Sequence, residues 1–205
     1  MKSLPNNQIA IIILAAGASS RMGRPKQLLP WEKTSLLDHA IRTAKSSDAM
    51  EVITVLGANA DLIKSHLKEG EAYIENPLWQ SGLGSSIACG VTELLQSGKA
   101  ISGVLIMLAD QPLIDFKYLN SLIRTSTENK NKIIATAYKN RAGVPALFPK
   151  IYFDDLLKLN KDFGAKQLLE REGNEVITIS TGHCIMDIDT EEDYEQLRQR
   201  NETEI

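Results

Sequence analysis

Cysteine and histidine are scarce in this chain of 205 residues. Its two cysteines, Cys89 and Cys184, form no Cys-x-x-Cys pair, and its three histidines are scattered along the chain. A disulfide framework or a zinc site therefore has little support. No apolar run reaches the roughly 18 residues of a membrane-spanning helix. A formal net charge of -3 argues against a broad nucleic-acid-binding face. We expect a cytoplasmic protein that binds neither membrane nor nucleic acid.

The apolar run Ile9–Ala16 allows two interpretations, the core of a secretory signal or a buried strand. A signal peptide combines a basic start, an apolar core and a small-residue cleavage site. Here Lys2 lies upstream, but a polar Pro-Asn-Asn stretch precedes the run and a charged loop follows it. We therefore favour the strand.

Apolar runs of strand length alternate with segments of helical periodicity along most of the chain. Predicted strands are Ile9–Leu14, Glu51–Leu56, Ala72–Glu75, Gly103–Leu108, Lys132–Tyr138 and Glu175–Ser180. Predicted helices are Ser35–Ser46, Asn59–Lys68, Ser85–Leu95, Phe116–Thr125 and a last one capped by Thr190. This alternation is typical of an α/β sheet covered on both faces. With 43% hydrophobic residues and no linker-like stretch, residues 1–205 are expected to form one domain.

The segment Arg141–Pro149 interrupts this alternation with Gly143, Pro145 and Pro149. Glycine and proline mark turns and loops. The segment is therefore predicted to be a functional loop or, equally well, a plain connector.

A glycine-containing loop, "LAAGASSRMGRPKQLLPW", follows the first predicted strand. Five residues separate Gly17 from Gly23, and Lys26 is followed by Gln27, so the loop is not a P-loop; the dinucleotide motif GxGxxG is also absent. Arg21 and Lys26 on a glycine turn at the carboxyl end of a strand suit a triphosphate. A solvated basic loop is the alternative.

Aspartates follow other extended segments. Asp110 ends an apolar strand before Pro112, where it either faces the ligand crevice or caps the next turn. Asp187 and Asp189 flank Ile188 and would share one side of an extended segment. Mg2+ prefers one or two carboxylates together with phosphate oxygens and water.

A second glycine turn, "SGLGSSIACG", leads into a predicted helix. Its free N–H groups and serine hydroxyls would meet a ribose, base or phosphate, or Ser would simply cap the helix. Local sequence does not separate these two interpretations.

Six stretches together resemble the MocA-like nucleotidyltransferases, including those that transfer a cytidylyl group to the molybdenum cofactor. The stretches, in family order, are "LAAGASSRMGRPKQLLPW", "NPLWQSGLGSSIACG", "LADQPLI", "GVPALF", "DFGAKQLL" and "DIDTEEDY". The resemblance implies a three-layer, Rossmann-like α/β fold with a mostly parallel sheet, of the nucleotide-diphospho-sugar transferase type. One departure is Glu191, where the family often has proline.

The resemblance also implies roles for particular residues. Catalytic roles fall to Lys26, Arg21 and Asp110. Nucleotide contacts fall to Ala15, Ala16, Gly17, Arg21, Lys26, Gly82, Gly84 and Ser86. Mg2+ is assigned to Asp110 and Asp189, and Asp187 is the reserve ligand.

The implied reaction is transfer of CMP from CTP to molybdopterin-bound molybdenum, with an apo molybdenum hydroxylase as a downstream partner. A guanylyltransferase, or a transferase for a sugar or alcohol phosphate, is the nearer alternative. The guanylyl branch usually has LAGG with RMGG and DK, whereas this chain has Ala15-Ala16-Gly17 and Arg24-Pro25-Lys26. A non-catalytic carrier of the molybdenum cofactor is the alternative from another class.

Overall fold

The computed structural model describes residues 8–139, 141–159, 164–181 and 186–203. The strands are β1 Ile9–Ala15, β2 Pro30–Trp31, β3 Thr34–Ser35, β4 Glu51–Leu56, β5 Tyr73–Glu75, β6 Gly103–Leu108, β7 Ile133–Tyr138, β8 Arg141–Pro149 and β9 Val176–Ile179. The helices are α1 Leu36–Lys45, α2 Ala60–Lys64, α3 Leu83–Gln96, α4 Phe116–Glu128, α5 Phe153–Leu157, α6 Ala165–Arg171 and α7 Glu191–Thr203. None of these helices is long and apolar enough to span a membrane.

Seven of the strands form one sheet in the order β5-β4-β1-β6-β8-β7-β9. Strand β1 lies between β4 and β6 and runs parallel to both, with Ile12 opposite Ile53 and Ile106. Within this described sheet, β8 runs antiparallel to its neighbours β6 and β7, and the other strands run parallel to one another. The predicted mostly parallel α/β sheet is therefore confirmed, and the carboxyl ends of β1, β4, β5 and β6 share one edge.

The core lies on both faces of this sheet. Alternate residues of β1 enter different clusters: Ile12 packs with α3, α5 and α6, whereas Ile11 and Ile13 pack with α1, α2 and α4. Because both faces are covered, the strand is an almost unbroken apolar run. The segment that resembled a signal core is thus a buried interior strand of the sheet.

The prediction that Arg141–Pro149 is a loop is wrong. The segment forms β8, whose Ala146–Pro149 part pairs with β6, while Arg141–Gly143 pairs with β7 beyond a register shift. Pro145 lies where that register changes, and Pro149 is the last residue of the strand. Prolines at such positions remove no hydrogen bond from a regular ladder.

Other differences concern element ends and short elements. Helix α2 is shorter than predicted because it ends at Lys64. Helices α5 and α6 and the β2–β3 pair were not predicted. The predicted cap at Thr190 is present, since Thr190 Oγ1 accepts a bond from the Asp193 N–H at 3.2 Å. Ser35 caps α1 in the same way, accepting a bond from the Asp38 N–H at 3.1 Å.

Helix α3 approaches the sheet closely at Gly90. An ideal Cβ there would lie 2.8 Å from Ile12 Cδ1 and 3.2 Å from Val55 Cγ2. Because Ile12 is fully buried, we expect Gly90→Ala to lower the free energy of unfolding by about 1–3 kcal/mol, measured by urea denaturation. Gly173→Ala is the control, since nothing lies within 4 Å of that position. Equal stability of both variants would contradict this packing argument.

Candidate active site

The first glycine loop leaves β1 at the carboxyl edge of the sheet and folds back over a buried glutamine. Gln27 Nε2 donates to the carbonyl oxygens of Ala15 at 2.8 Å and Gly17 at 2.9 Å. The Ala16 carbonyl accepts the Ala58 N–H at 3.0 Å. The carbonyl groups of this turn are therefore engaged by the protein itself, and they fix the path of the loop.

The same loop places Lys26 above the edge of the sheet. Its N–H donates to Ser19 Oγ at 3.0 Å, and Ser19 has a positive φ of 54°. Lys26 then begins a short 3-10 helix, Lys26–Leu28. This arrangement directs the side chain inward, where it is only 16% exposed.

Three oxygen groups surround the Lys26 ammonium. Nζ contacts Asp110 Oδ2, and it donates to the Ile188 carbonyl at 2.9 Å and to Asp189 Oδ1 at 3.1 Å. Asp110 and Asp189, which are far apart in sequence, therefore converge on one cation. They lie at the edge where β1 and β6 end. We call Lys26, Asp110 and Asp189 the charged cluster.

Ile188 fixes the acidic segment against this cluster. Its N–H donates to the Asp110 carbonyl at 3.1 Å, and its buried side chain packs with Leu29, Trp31 and Tyr194. Asp189 on one side of it is 54% exposed. Glu191, which stands where the family often has proline, has a partner, because its carboxylate contacts the Arg24 guanidinium.

Arg21 lies at the rim of the cluster. Its Nη1 is 4.0 Å from Asp189 Oδ2, and its side chain is 75% exposed. An exposed pair at this distance contributes little to stability. Arg21 is thus free to turn toward an anionic ligand at modest cost.

Burial and charge act in opposite directions within the charged cluster. Burial disfavours the Lys26 ammonium, but the charge of Asp110, supported by Asp189, outweighs it and raises the pKa of Lys26. Burial also raises the pKa of Asp110, with Lys26 opposing and the carboxylates of Asp187 and Asp189 adding to the rise. Lys26 therefore stays protonated, and this crowded set of acids favours a further cation.

The second glycine turn lies at the same edge, before α3. Gly82 has φ 90° and ψ 176°, a conformation that favours glycine. Asn76 Nδ2 donates to Ser85 Oγ at 2.9 Å and to Ser86 Oγ at 3.0 Å. Ser86 is only 1% exposed, and its hydroxyl supports the turn through Asn76. The nucleotide contacts expected of Gly82, Gly84 and Ser86 stay predictions.

A second polar group adjoins the charged cluster. Gln111 Nε2 donates to Asp187 Oδ1 at 2.8 Å and to the Tyr138 hydroxyl at 3.0 Å. The Tyr138 hydroxyl in turn donates to the Val144 carbonyl at 2.6 Å. Arg141 lies over the Tyr138 ring, 5.5 Å from its centroid. We call this the hairpin network, because β7 and β8 supply most of it.

The hairpin network borders a cavity of about 320 Å³. Its polar lining includes Gln111, Tyr138, Arg141, Lys166 and Asp187, and Leu108 and Val144 add apolar surface. The cavity therefore begins beside the charged cluster and extends toward α6. A hollow of about 570 Å³ at the opposite edge, beside Gln8 and Lys150, is larger, but the groups described above do not line it.

Three buried side-chain oxygens have no hydrogen-bond partner among the described residues: Asp110 Oδ1, Gln111 Oε1 and Glu51 Oε2. The first two are consecutive in sequence and lie at the edge just described. The third belongs to a carboxylate whose other oxygen accepts a bond from Lys99 at 2.8 Å. An unsatisfied buried group costs about 1–3 kcal/mol, and such groups in native proteins call for an explanation such as a ligand.

The donor set suits a hard cation bound together with phosphate. Asp110 and Asp189 offer carboxylate oxygens at one point, and Asp110 Oδ1 has no partner among the residues that the structure describes. No group of three or more His, Cys, Asp or Glu side chains suited to a metal occurs in the part of the chain that is described. Mg2+ needs only one or two protein carboxylates when phosphates complete its shell, so these residues fit it.

The structure thus brings Arg21, Lys26, Asp110 and Asp189 together, and it places Gly17, Gly82 and Gly84 at the same sheet edge. Sequence reasoning missed Gln27, Gln111 and Tyr138. The position of Gln111 directly after Asp110 could have indicated a role in the site, because a residue there lies at the same carboxyl edge of the sheet. His183 and Cys184, and the start of "DFGAKQLL", lie outside the described residues.

A parallel sheet edge with two glycine turns, a buried lysine and converging carboxylates is typical of α/β proteins that bind phosphate groups. A family model described as the MobA-like NTP transferase domain matches residues 11–176, and the chain belongs to this family. This agrees with the resemblance seen in the sequence motifs.

Several curated proteins are similar in sequence. Nicotine blue oxidoreductase of Paenarthrobacter nicotinovorans is 32% identical over 63% of this chain and 61% of its own length. The bifunctional protein GlmU of Streptomyces griseus is 30% identical over 60% of this chain, which spans only 26% of that protein. Purine catabolism protein PucB of Bacillus subtilis is 27% identical over 91% of this chain and 94% of its own.

Solved structures are similar along nearly the whole chain. Rv0371c of Mycobacterium tuberculosis has a TM-score of 0.81 at 27% identity, covering 96% of this chain and 100% of that one. A structure of Rv0371c in complex with manganese has a TM-score of 0.77 at 26% identity, covering 94% and 98%. A nucleotidyl transferase from Methanothermobacter, at 20% identity and a TM-score of 0.83, covers 98% of this chain and 100% of its own and supports the fold alone.

Proposed function

We propose that this chain is a magnesium-dependent cytidylyltransferase that transfers CMP from CTP to the molybdopterin-bound molybdenum cofactor and releases pyrophosphate. The product would serve a molybdenum hydroxylase of the xanthine dehydrogenase type. The carrying observation is the convergence of Lys26, Asp110 and Asp189 beside the first glycine loop. Membership of the MobA-like NTP transferase family supports nucleotidyl transfer as the class of reaction.

The acceptor phosphate would attack the α-phosphate of CTP in line, so that one P–O bond forms while the bond to pyrophosphate breaks. Such transfers depend on positioning and charge stabilisation more than on covalent chemistry. Lys26 is held in place by the protein and would offset charge on the phosphates. Arg21 at the rim would grip phosphate oxygens with its fork of donors.

The metal would be held by Asp110 and Asp189. Mg2+ bound there would neutralise phosphate charge and align the reacting groups. Two observations support a divalent ion: the buried Asp110 Oδ1, which has no partner in the described part of the chain, and the manganese complex of the similar protein Rv0371c. The carboxylate oxygens of Asp110 and Asp189 are hard ligands, and such ligands favour Mg2+ or Mn2+ over zinc.

The acceptor would occupy the cavity of about 320 Å³ beside the hairpin network. The nucleotide would lie across the two glycine turns, with the backbone at Ala15, Ala16, Gly17, Gly82 and Gly84 closest to it. Its α-phosphate would then lie between the nucleotide turns and the acceptor cavity, at the charged cluster.

Three alternatives would share these residues in part, and a fourth is suggested only by a relative's name. A guanylyltransferase or a sugar- or alcohol-phosphate transferase would use the same charged cluster with a different base or acceptor. A cofactor carrier would bind without chemistry. Hydride transfer, suggested by the name of nicotine blue oxidoreductase, is disfavoured because the chain lacks a GxGxxG turn.

The test is a panel of CTP, GTP, ATP and UTP with purified molybdenum cofactor and Mg2+, following pyrophosphate and the dinucleotide product. We expect kcat/KM for CTP to exceed that for GTP by at least about a hundredfold, because a wrong base leaves buried polar groups unpaired. Equal use of CTP and GTP would refute cytidylyl specificity. Cofactor binding without pyrophosphate release would indicate a carrier, and NADPH oxidation in a parallel assay would indicate hydride transfer.

A further inference from the structure

Among the described residues, Gln111 is the one buried side chain that contacts both Asp187 and the β7–β8 hairpin. It is 4% exposed and lies between Asp110 of the charged cluster and the cavity. Its amide nitrogen meets Asp187 Oδ1 at 2.8 Å, the Tyr138 hydroxyl at 3.0 Å and the Val144 carbonyl at 3.4 Å.

The orientation of this amide is determined by its partners. The Asp187 carboxylate and the Val144 carbonyl can only accept hydrogen bonds, and the Tyr138 hydroxyl already donates to Val144. All three therefore require the nitrogen of Gln111 on their side. Turning the amide over would place its oxygen against a carboxylate.

The Tyr138 ring that anchors Gln111 is itself held from two sides. Arg141 lies over the ring at 5.5 Å from its centroid. On another side Gly143 is so close that an added Cβ would be 2.7 Å from a ring carbon. The hairpin thus presents the Tyr138 hydroxyl in a fixed place, and Gln111 transmits that position to Asp187.

The two acids of the segment "DID" have different partners as a result. Asp189 contacts Lys26, whereas Asp187 is bound to Gln111 and lines the cavity. A main-chain bond from the Ile188 N–H to the Asp110 carbonyl fixes the residue between them.

We propose that Gln111 is a positioning residue that holds Asp187 on the acceptor side of the site and away from the metal. Asp187 then offers its second carboxylate oxygen to an N–H or O–H group of the acceptor. This inference rests on the proposed function, and it adds that the acceptor carries a hydrogen-bond donor besides the phosphate that reacts.

Gln111→Met keeps length and volume and removes the amide. With molybdenum cofactor as acceptor, we expect it to raise the acceptor KM by about tenfold or more, as loss of a hydrogen bond to a charged group does. KM for CTP should stay within about twofold. In an Asp187→Ala background, Gln111→Met should add little, because it acts through that carboxylate. Additive effects, or an equal rise in KM for CTP, would overturn the proposal.

A second measurement does not need turnover. Crystals of the wild-type chain and of Gln111→Met, each grown with CTP and Mn2+, would be compared by anomalous diffraction. We expect Mn2+ on Asp110 and Asp189, with Asp187 on Gln111, in the wild type, and a displaced Asp187 carboxylate in Gln111→Met. Direct coordination of wild-type Asp187, or an unmoved carboxylate in the variant, would overturn the inference.

The two measurements separate two kinds of failure. If the wild-type chain transfers no nucleotide to molybdenum cofactor, the proposed function fails, and the crystals still decide whether Gln111 positions Asp187. If transfer occurs and Asp187 does not depend on Gln111, only this inference fails.

Discussion

Replacing Lys26 with alanine is expected to lower turnover by about a hundredfold or more, which corresponds to about 2.7 kcal/mol in the barrier. The reason is its placement: the ammonium is mostly buried and held by Asp110, Asp189 and the Ile188 carbonyl. A preorganised charge of this kind needs no rearrangement as phosphate charge develops. Steady-state release of pyrophosphate from CTP and acceptor measures the effect.

Two variants sharpen the Lys26 experiment. Arg21→Ala is expected to act more through KM for CTP, because an exposed fork of donors grips the bound phosphate as well as the transition state. Lys26→Met keeps the length of the side chain and tests charge separately from packing. Circular dichroism and thermal unfolding would establish that each variant folds. Near-normal turnover in a folded Lys26→Ala protein would remove Lys26 from the proposed chemistry.

The opening loop shows how far sequence alone leads. The first glycine loop contains two glycines, Arg21 and Lys26 and follows an apolar strand, and this pattern predicted a phosphate-binding loop. Because the loop follows a strand of a parallel sheet, it was also expected to lie at the carboxyl edge of that sheet. The partners of Lys26 could not be derived this way. They depend on how residues 186–190 return to the site after more than 150 residues of chain.

The second half of the chain shows the limit more clearly. Glycine and prolines in Arg141–Pro149 indicated a loop, but tertiary pairing with β6 and β7 makes the segment a strand. The prolines fit because the ladder is irregular at Pro145 and ends at Pro149. Without β8 in place, neither Tyr138 nor Gln111 has a visible role, and so the hairpin network was missed.

Ser86 illustrates a different limit. A serine at the start of a helix predicts either a cap or a ligand contact, and local sequence does not separate the two. Its hydroxyl accepts a bond from Asn76 at 3.0 Å inside the protein. Composition and spacing do not tell whether a serine side chain in such a turn points into the protein or toward solvent.

Asp110→Asn and Asp189→Asn are each expected to reduce Mg2+-dependent turnover by on the order of a hundredfold or more. The amide keeps the size of the carboxylate but offers a neutral, weaker ligand for a hard cation. Turnover measured across a Mg2+ titration, together with Mn2+ binding followed by electron paramagnetic resonance in the presence of CTP, separates metal binding from chemistry.

The two aspartates should respond differently in one respect. Asp110 is mostly buried against Lys26, so Asp110→Asn leaves a buried ammonium with one carboxylate fewer and should also lower thermal stability. Asp189 is half exposed, so its variant should unfold like the wild type.

Asp187→Asn is the matched control for the metal, because the residue lies two positions from Asp189 but is bound to Gln111. Its amide oxygen still accepts that bond, so Mn2+ affinity should stay within about twofold of the wild type. Asp110 and Asp189 already contact one ammonium nitrogen, which places their oxygens close enough to share one ion. If Asp187→Asn weakened Mn2+ binding as much as Asp189→Asn, the second ligand would be Asp187. If neither variant changed it, Asp110 and the phosphates alone would hold the metal.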